Sequence, residues 1–135
     1  MTTNPKDLVG AKKAPMGLLP AAGVIHGNLA MENGANKYGP YNWREHAVQY
    51  TIYIDAIERH LVAVRDGEDL AQDSMVHHLG HIIAGASILL DAMECGKLID
   101  DRPKSGPAAQ ILERINTQRK EKSRCNSSGR NSTGT

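Results

Sequence analysis

The chain has 135 residues, of which 40% are hydrophobic and 23% are charged, a composition typical of one soluble globular domain. Its formal net charge is +1, so it lacks the basic excess with which proteins bind nucleic-acid polymers or anionic membranes. The longest apolar run, residues 82–90, is far shorter than the roughly 20 residues that a membrane span needs.

Residues 1–16 are polar and contain Pro5 and Pro15, so we expect an extended N-terminal arm. They lack the apolar core of a signal peptide, and Cys95 and Cys125 form no metal-binding motif. A reduced, cytoplasmic setting is therefore expected.

Two helices are predicted on either side of a polar loop. The first runs over residues 20–33, because Pro20 suits an early helical position and Gly34 a helix stop. Residues 34–45 then form a loop with the only tryptophan of the chain. Apolar residues at helical spacing predict a second helix over residues 48–65.

A third helix is predicted to begin after Asp73 and Ser74, either of which suits its N-cap, and to end at Glu94. A short last helix is expected within residues 108–122. No internal repeat and no strand alternation is found, which predicts an all-α antiparallel helical bundle. The predicted domain spans residues 1–121, and the low-complexity residues 122–135 are predicted to form a disordered polar tail.

Basic side chains and imidazoles are expected to meet between the second and third helices. A short loop joins these helices, so antiparallel packing places Arg59, His60, His78 and His81 at one height of the bundle. Imidazoles three residues apart share a helix face, where they can hold a divalent metal or a phosphate. The alternative is two partly buried histidines that are hydrogen-bonded to carboxylates.

Acidic side chains flank the same region. Asp55 and Glu58 share one face of the second helix, and the following loop carries Glu68 and Asp69 among further acids. Because like charges repel, this density favours a bound cation or basic neighbours. The alternative is a solvated helix face followed by an exposed acidic turn.

In chain order the sequence contains GANKYGPYNWRE, ERHLVAVRDGEDLAQDS and HHLGHIIAGASILLDA. Over residues 7–102 this order resembles the phage dATP/dGTP pyrophosphohydrolase family, which is grouped with the MazG-like all-α nucleotide pyrophosphohydrolases. The resemblance implies metal-dependent hydrolysis of a purine deoxynucleoside triphosphate to its monophosphate and pyrophosphate. The implied substrate is dGTP first, with dATP and GTP as further candidates. MazZ-type members from phages that replace adenine by 2-aminoadenine are similar, which implies that dGMP supplies synthesis of that modified purine.

The resemblance also implies roles for individual residues. MazG-like relatives bind Mg²⁺ or Mn²⁺ through E-x-x-E and E-x-x-D, whereas this chain has Asp55-x-x-Glu58 and His78-x-x-His81. Either the carboxylates supply the oxygen ligands, or the histidines serve phosphate and base instead. The candidate metal ligands are Glu58, Glu68, Asp69, His78 and His81. The candidate catalytic residues are Glu58, Glu68, Arg59 and His60.

The aromatic loop is the expected nucleoside half of such a site. An aromatic face stacks on a purine, and Asn42 suits a base edge or a ribose hydroxyl. The alternative is that Trp43 plugs the end of the bundle with Tyr38 beside it. The candidate nucleotide-binding residues are Lys13, Lys37, Tyr38, Asn42, Trp43 and Arg44.

Two family positions differ in this chain: the residue after D-S, usually Gly, is Met75, and the residue before H-L-x-H, usually Pro, is His77. A homo-oligomer is expected, a tetramer ahead of a dimer, with no polymeric nucleic acid and no membrane as partner. The alternative functions are a nucleotide-binding protein without turnover and a phage–host interaction protein.

Overall fold

The computed structural model describes residues 3–131 and confirms the predicted all-α class, because almost all regular structure in that range is helical. The α-helices are α1 (Pro5–Gly10), α2 (Ala21–Tyr38), α3 (Asn42–Glu45), α4 (Tyr50–Arg65), α5 (His78–Glu94) and α6 (Ala108–Ser128). Within residues 3–131, every helix is too short or too polar to span a bilayer. The chain divides into two compact units, Met1–Arg102 and Pro103–Thr135.

In the first unit, α5 packs against both α2 and α4. Glycines permit the close approach: a Cβ on Gly80 would lie 2.6 Å from the carbonyl oxygen of His26, and one on Gly85 3.0 Å from Ile57. His60 of α4 contacts His81 of α5 while Ile57 contacts Gly85, so the two helices are antiparallel as predicted.

A two-stranded parallel sheet joins the segment before α4 to the segment after α5, and the sequence patterns did not predict it. Strand β1 (Val48–Gln49) pairs with β2 (Leu98–Ile99) in the register Val48 to Leu98. The Asp101 carboxylate then accepts a hydrogen bond from the backbone N–H of Thr51 (2.9 Å). These contacts hold the start of α4 beside the segment that follows α5.

The predicted end of the first helix was wrong, because α2 continues through Gly34 to Tyr38. It stops at Gly39, whose φ of 87° is unfavourable for other residues and which precedes a proline. Consequently nine of the twelve residues of the predicted loop are helical, five in α2 and four in α3, and Tyr41 (φ 55°) leads directly into the single turn of α3.

The predicted start of the third helix was also wrong. Residues 70–77 form a turn closed by a bridge between Leu70 and His77, and α5 begins only at His78. The N-cap is His77, whose Nδ1 accepts a hydrogen bond from the backbone N–H of Leu79 (3.0 Å). Neither Asp73 nor Ser74 caps this helix.

Both ends of the chain are more helical than expected. The arm predicted to be extended contains α1, which Asn4 caps by accepting from the backbone N–H of Lys6 (2.9 Å). In the second unit, α6 continues to Ser128, because residues 117–124 are rich in Lys, Arg, Glu and Gln, which favour helices. Residues 122–128 of the predicted disordered tail are therefore helical, and its residues 132–135 lie outside the described range.

Candidate active site

An open cleft of about 1120 Å³ lies on the first unit, between α4, α5 and the segment from α2 to α3. One face of α5 lines it with His81, Ala84, Gly85, Ile88 and Asp91. Small side chains in the middle of this face leave the space open, while polar groups lie towards both ends. His81 and Asp91 are ten residues apart, which is about 15 Å along a helix.

Three histidines meet at one end of this cleft. The His60 ring stacks in parallel on the His81 ring, with centroids 4.5 Å apart and an interplanar angle of 6°. The Nδ1 atoms of His60 and His78 lie 2.8 Å apart, which is hydrogen-bond distance. His81 Nε2 lies 2.8 Å from the Ser74 hydroxyl. We call the cleft residues Lys37, Arg59, His60 and His81 the histidine end.

His78 and Glu68 lie behind this end of the cleft. The His78 side chain is buried, and its Nε2 is 2.7 Å from Oε1 of Glu68 on the preceding turn. The backbone N–H of His78 also bonds to the carbonyl oxygen of Asp69 (2.9 Å), which fixes the start of α5 against that turn. Neither His78 nor Glu68 lines the cleft, whereas His60 and His81 do.

The histidines at the cleft surface favour their neutral forms. Burial lowers the pKa of His60, and the neighbouring His81 and His78 lower it further. Burial also lowers the pKa of His81, against an opposing effect of Asp73. Such rings present lone pairs, not positive charge, at neutral pH.

Two flexible cations accompany the histidines. Lys37 Nζ lies 3.8 Å from Asp73 Oδ2, and both side chains are largely exposed. Arg59 is exposed beside His60 and has no hydrogen bond or ion pair within residues 3–131. Both positive groups are therefore free to reorient towards an anion in the cleft, since an exposed ion pair is weak.

A different network occupies the other end of the cleft. Asp91 accepts hydrogen bonds from Trp43 Nε1 (2.6 Å), Arg44 Nε (2.8 Å) and Arg44 Nη2 (2.9 Å). The hydrogen bonds from Arg44 and Trp43 hold the pKa of Asp91 far below its usual range, and the bond to Asp91 raises the pKa of Arg44. The Arg44 guanidinium lies 4.6 Å from the centre of the Tyr41 ring. We call Tyr38, Tyr41, Trp43, Arg44 and Asp91 the aromatic end.

Comparison with known protein families identifies the family of the first compact unit. A family model described as dATP/dGTP diphosphohydrolase, N-terminal, matches residues 3–102, which is 100 of the 135 residues. The chain belongs to this family. The matched range ends where the first compact unit ends, and it contains the whole cleft. Searches of curated proteins and of solved structures found no match.

At the two positions where the resemblance implies Gly and Pro, the backbone angles suit those residues. Met75 has a φ of 58°, in the left-handed region that favours glycine. His77 has a φ of −58°, which is close to the value that a proline ring imposes. The turn before α5 therefore has a glycine-and-proline geometry that is formed here by Met and His.

The predicted residues that do reach the cleft are Lys37, Tyr38, Asn42, Trp43, Arg44, Arg59, His60 and His81. Lys13 and Glu58 do not line it, and both are exposed. Glu68 and His78 are linked to it only through His60. Asp69 is exposed, with its carboxylate 3.8 Å from His77 Nε2.

The predicted metal ligands are not assembled into one site. Within residues 3–131, no three His, Cys, Asp or Glu side chains are arranged to hold a metal ion. Glu58 has no polar partner in that range, while His78 and His81 direct ring nitrogens at Glu68 and Ser74. A resident metal centre of the predicted composition therefore does not fit this arrangement of donors.

The predicted stacking role of Trp43 agrees poorly with its position, because only 6% of its surface is exposed and its N–H is bonded to Asp91. Tyr38 and Tyr41 are 71% and 57% exposed and offer open ring faces. Asp91 was missed by sequence reasoning. Its signal was a lone acid in the apolar stretch of α5, on the broad face that also carries His81.

Proposed function

We propose that the cleft hydrolyses a purine deoxynucleoside triphosphate, dGTP first, to the monophosphate and pyrophosphate. The observation that carries this proposal is the difference between the two ends of the cleft. Lys37, Arg59 and two imidazoles lie at one end, and exposed tyrosine rings lie at the other, where Arg44 is paired with Asp91. Membership in the dATP/dGTP diphosphohydrolase family supports the reaction class.

The histidine end would hold the phosphates. A nucleoside triphosphate carries about four negative charges, and Lys37 and Arg59 are positive side chains able to turn towards them. The neutral rings of His60 and His81 would lie nearest the reacting phosphorus. Lys13 has no place in this arrangement, because it does not line the cleft.

The aromatic end would hold the base and sugar. Tyr38 and Tyr41 expose their rings, and stacking of a base on an aromatic side chain contributes about 1–3 kcal/mol. Trp43 would support this surface from below, fixed by its hydrogen bond to Asp91. Asn42 lines the same end and would bond to the ribose or the base edge.

A preference for guanine is supported by one acidic side chain of the cleft. Asp73 and Asp91 face Lys37 and Arg44, whereas Glu32 has no hydrogen bond or ion pair within residues 3–131. A carboxylate accepts hydrogen bonds only, and guanine offers N1–H and N2–H side by side. Adenine presents an acceptor at N1, so Glu32 would favour guanine.

A divalent cation, Mn²⁺ or Mg²⁺, is proposed as part of the nucleotide complex. Mg²⁺ is often bound by one or two carboxylates together with substrate phosphates, and Asp73 is a cleft carboxylate beside Lys37 of the histidine end. The ion would neutralise phosphate charge. Treatment with EDTA is expected to abolish turnover, and undiminished turnover would remove the metal from the proposal.

A homo-oligomer, tetramer or dimer, is also proposed. Large apolar side chains stay exposed on the first unit, among them Ile52 (57%), Val62 (65%) and Leu90 (63%). Association of copies would cover such surface. Light scattering on the eluting protein measures the mass directly, and a mass near 14.6 kDa would exclude association.

In a phage that carries 2-aminoadenine, the product dGMP would supply synthesis of the modified purine. We propose this role only from the resemblance of the loop and helix motifs to MazZ-type members. Deleting the gene in such a phage should lower the 2-aminoadenine content of its DNA, and unchanged content would contradict the role.

The direct test is a panel of the four deoxynucleoside triphosphates and GTP with Mn²⁺, analysed by product chromatography. We expect dGMP and pyrophosphate from dGTP, with slower release from dATP. Glu32→Gln should reduce the ratio of dGTP to dATP turnover. Formation of dGDP and orthophosphate would contradict the proposed reaction.

A nucleotide-binding protein without turnover is the second candidate. It is favoured by the lack of a three-ligand metal cluster within residues 3–131. It predicts that dGTP raises the melting temperature while no product forms during prolonged incubation.

A further inference from the structure

Two hydrogen bonds join Glu68, His78 and His60 into one chain that ends at the cleft. Glu68 Oε1 lies 2.7 Å from His78 Nε2, and His78 Nδ1 lies 2.8 Å from His60 Nδ1. The middle residue is buried with 6% of its surface exposed, so water competes little for these bonds. We call these three residues the histidine relay.

The direction of the protons in the relay follows from the donor chemistry. A carboxylate only accepts, so Nε2 of His78 carries the proton that is donated to Glu68. In a neutral His78 ring, Nδ1 then has a lone pair and accepts from His60 Nδ1–H. The neutral His60 ring is thereby held in the tautomer whose Nε2 has a lone pair and no proton.

This free nitrogen of His60 faces solvent. Within residues 3–131, no buried side-chain nitrogen or oxygen lacks a hydrogen-bond partner. His60 is half-buried and only its Nδ1 has a hydrogen bond, so Nε2 must be an accessible atom. Because the residue lines the cleft, its accessible lone pair is available to a molecule bound there.

We propose that His60 Nε2 is the general base that takes a proton from the water attacking the α-phosphorus, and that Glu68 and His78 are positioning residues behind it. The inference rests on the proposed function, since it assigns a residue for that reaction. Arg59 precedes this base on α4 and would lie beside the phosphates.

The step balances without a further reagent. One O–H bond of water breaks, its proton forms an N–H bond at His60 Nε2, and the oxygen forms a bond to the α-phosphorus. The bond between that phosphorus and the oxygen bridging to the β-phosphorus breaks, and its electron pair stays on the departing pyrophosphate. The proton on Nδ1 of His60 then shifts to Nδ1 of His78, which places the positive charge beside Glu68.

The surroundings of the ring suit a base that starts neutral. The parallel stack on His81 and the loss of water around the ring disfavour a positive charge before reaction. Transfer of the charge to His78 moves it away from the cleft and towards a carboxylate. Burial disfavours a positive charge on the rings of the resting site. After the proton transfer, the carboxylate of Glu68 stabilises that charge on His78.

The test compares Glu68→Gln with Asp66→Asn in the full chain. Asp66 is an exposed acid of the same loop with no side-chain hydrogen bond in the described range, so its variant removes one charge without touching the relay. We expect Glu68→Gln to lower kcat for dGTP about tenfold or more, with KM changed less than about twofold. Asp66→Asn should match the wild type. Equal kcat values in both variants would overturn the inference.

Nitrogen-15 NMR of the wild-type histidines provides a readout that does not depend on turnover or on a variant that folds. We expect His60 with a protonated Nδ1 and a bare Nε2, and His78 with a protonated Nε2. A proton on His60 Nε2 would overturn the relay. Lack of dGTP hydrolysis by the wild type would instead overturn the proposed function, and the NMR result would still decide the tautomer.

Discussion

At the histidine end of the cleft, Nε2 of His60 has no partner within residues 3–131, whereas at the aromatic end both oxygens of Asp91 accept hydrogen bonds from Trp43 or Arg44. The polar atoms of Trp43, Arg44 and Asp91 therefore hold one another in place at the aromatic end. The histidine end leaves a lone pair and mobile cations accessible. We conclude that the histidine end supplies the reacting groups and that the aromatic end supplies a fixed binding surface.

The largest expected effect is the loss of the base. His60→Gln keeps an N–H donor for His78 but has no basic nitrogen, so kcat for dGTP should fall about hundredfold or more. His46→Gln, at an exposed histidine outside the cleft, is the matched control and should behave as the wild type. Steady-state kinetics measures kcat for both variants. Similar kcat values for His60→Gln and His46→Gln would show that His60 is not the general base.

A smaller effect is expected for phosphate binding. Arg59→Gln should raise KM for dGTP about tenfold, because a charge-assisted hydrogen bond is lost. Arg65→Gln removes the same charge from an exposed position of α4 that does not line the cleft. If both variants raise KM equally, the effect is one of overall charge and Arg59 has no contact with the substrate.

At the aromatic end, we expect Tyr38 to contribute to nucleotide binding and Trp43 to the stability of the fold. Tyr38→Ala removes an exposed ring and should raise KM about fivefold, while Tyr38→Phe keeps the ring and should restore it. Trp43→Phe removes the donor to Asp91 and should lower the melting temperature by a few degrees, with KM nearly unchanged. Steady-state kinetics measures KM, and thermal unfolding measures the melting temperature. A raised KM for Trp43→Phe together with an unchanged KM for Tyr38→Ala would contradict the proposed roles.

The smallest effect is a dependence of stability on pH. Folding lowers the pKa of His60 and His81, so the unfolded chain binds more protons near pH 6 and stability falls as pH decreases below the unfolded value of 6.5. His60→Gln should make this decrease shallower. Denaturant unfolding between pH 8 and pH 5 measures the free energy of unfolding at each pH. An equal decrease with pH in the wild type and in His60→Gln would contradict the burial of a neutral His60 ring.

Periodicity predicted the helical class, and the short loop between the second and third predicted helices predicted the antiparallel pairing of α4 with α5. The resemblance pointed to the residues around the cleft. The sequence left open whether His78 would hold a metal or bond to a carboxylate, and it could not single out Glu68 as the partner, since that depends on where α5 begins. Nor could it indicate that Trp43 would be buried on Asp91, a contact between residues 48 positions apart.

The central claim is that water attacks the α-phosphorus of a nucleotide held between the two ends of the cleft. Hydrolysis of dGTP in water labelled with oxygen-18 tests it, with mass spectrometry of both products. We predict one labelled oxygen in dGMP and none in pyrophosphate. Label in the pyrophosphate, or in released orthophosphate, would show attack at another phosphorus and contradict the account.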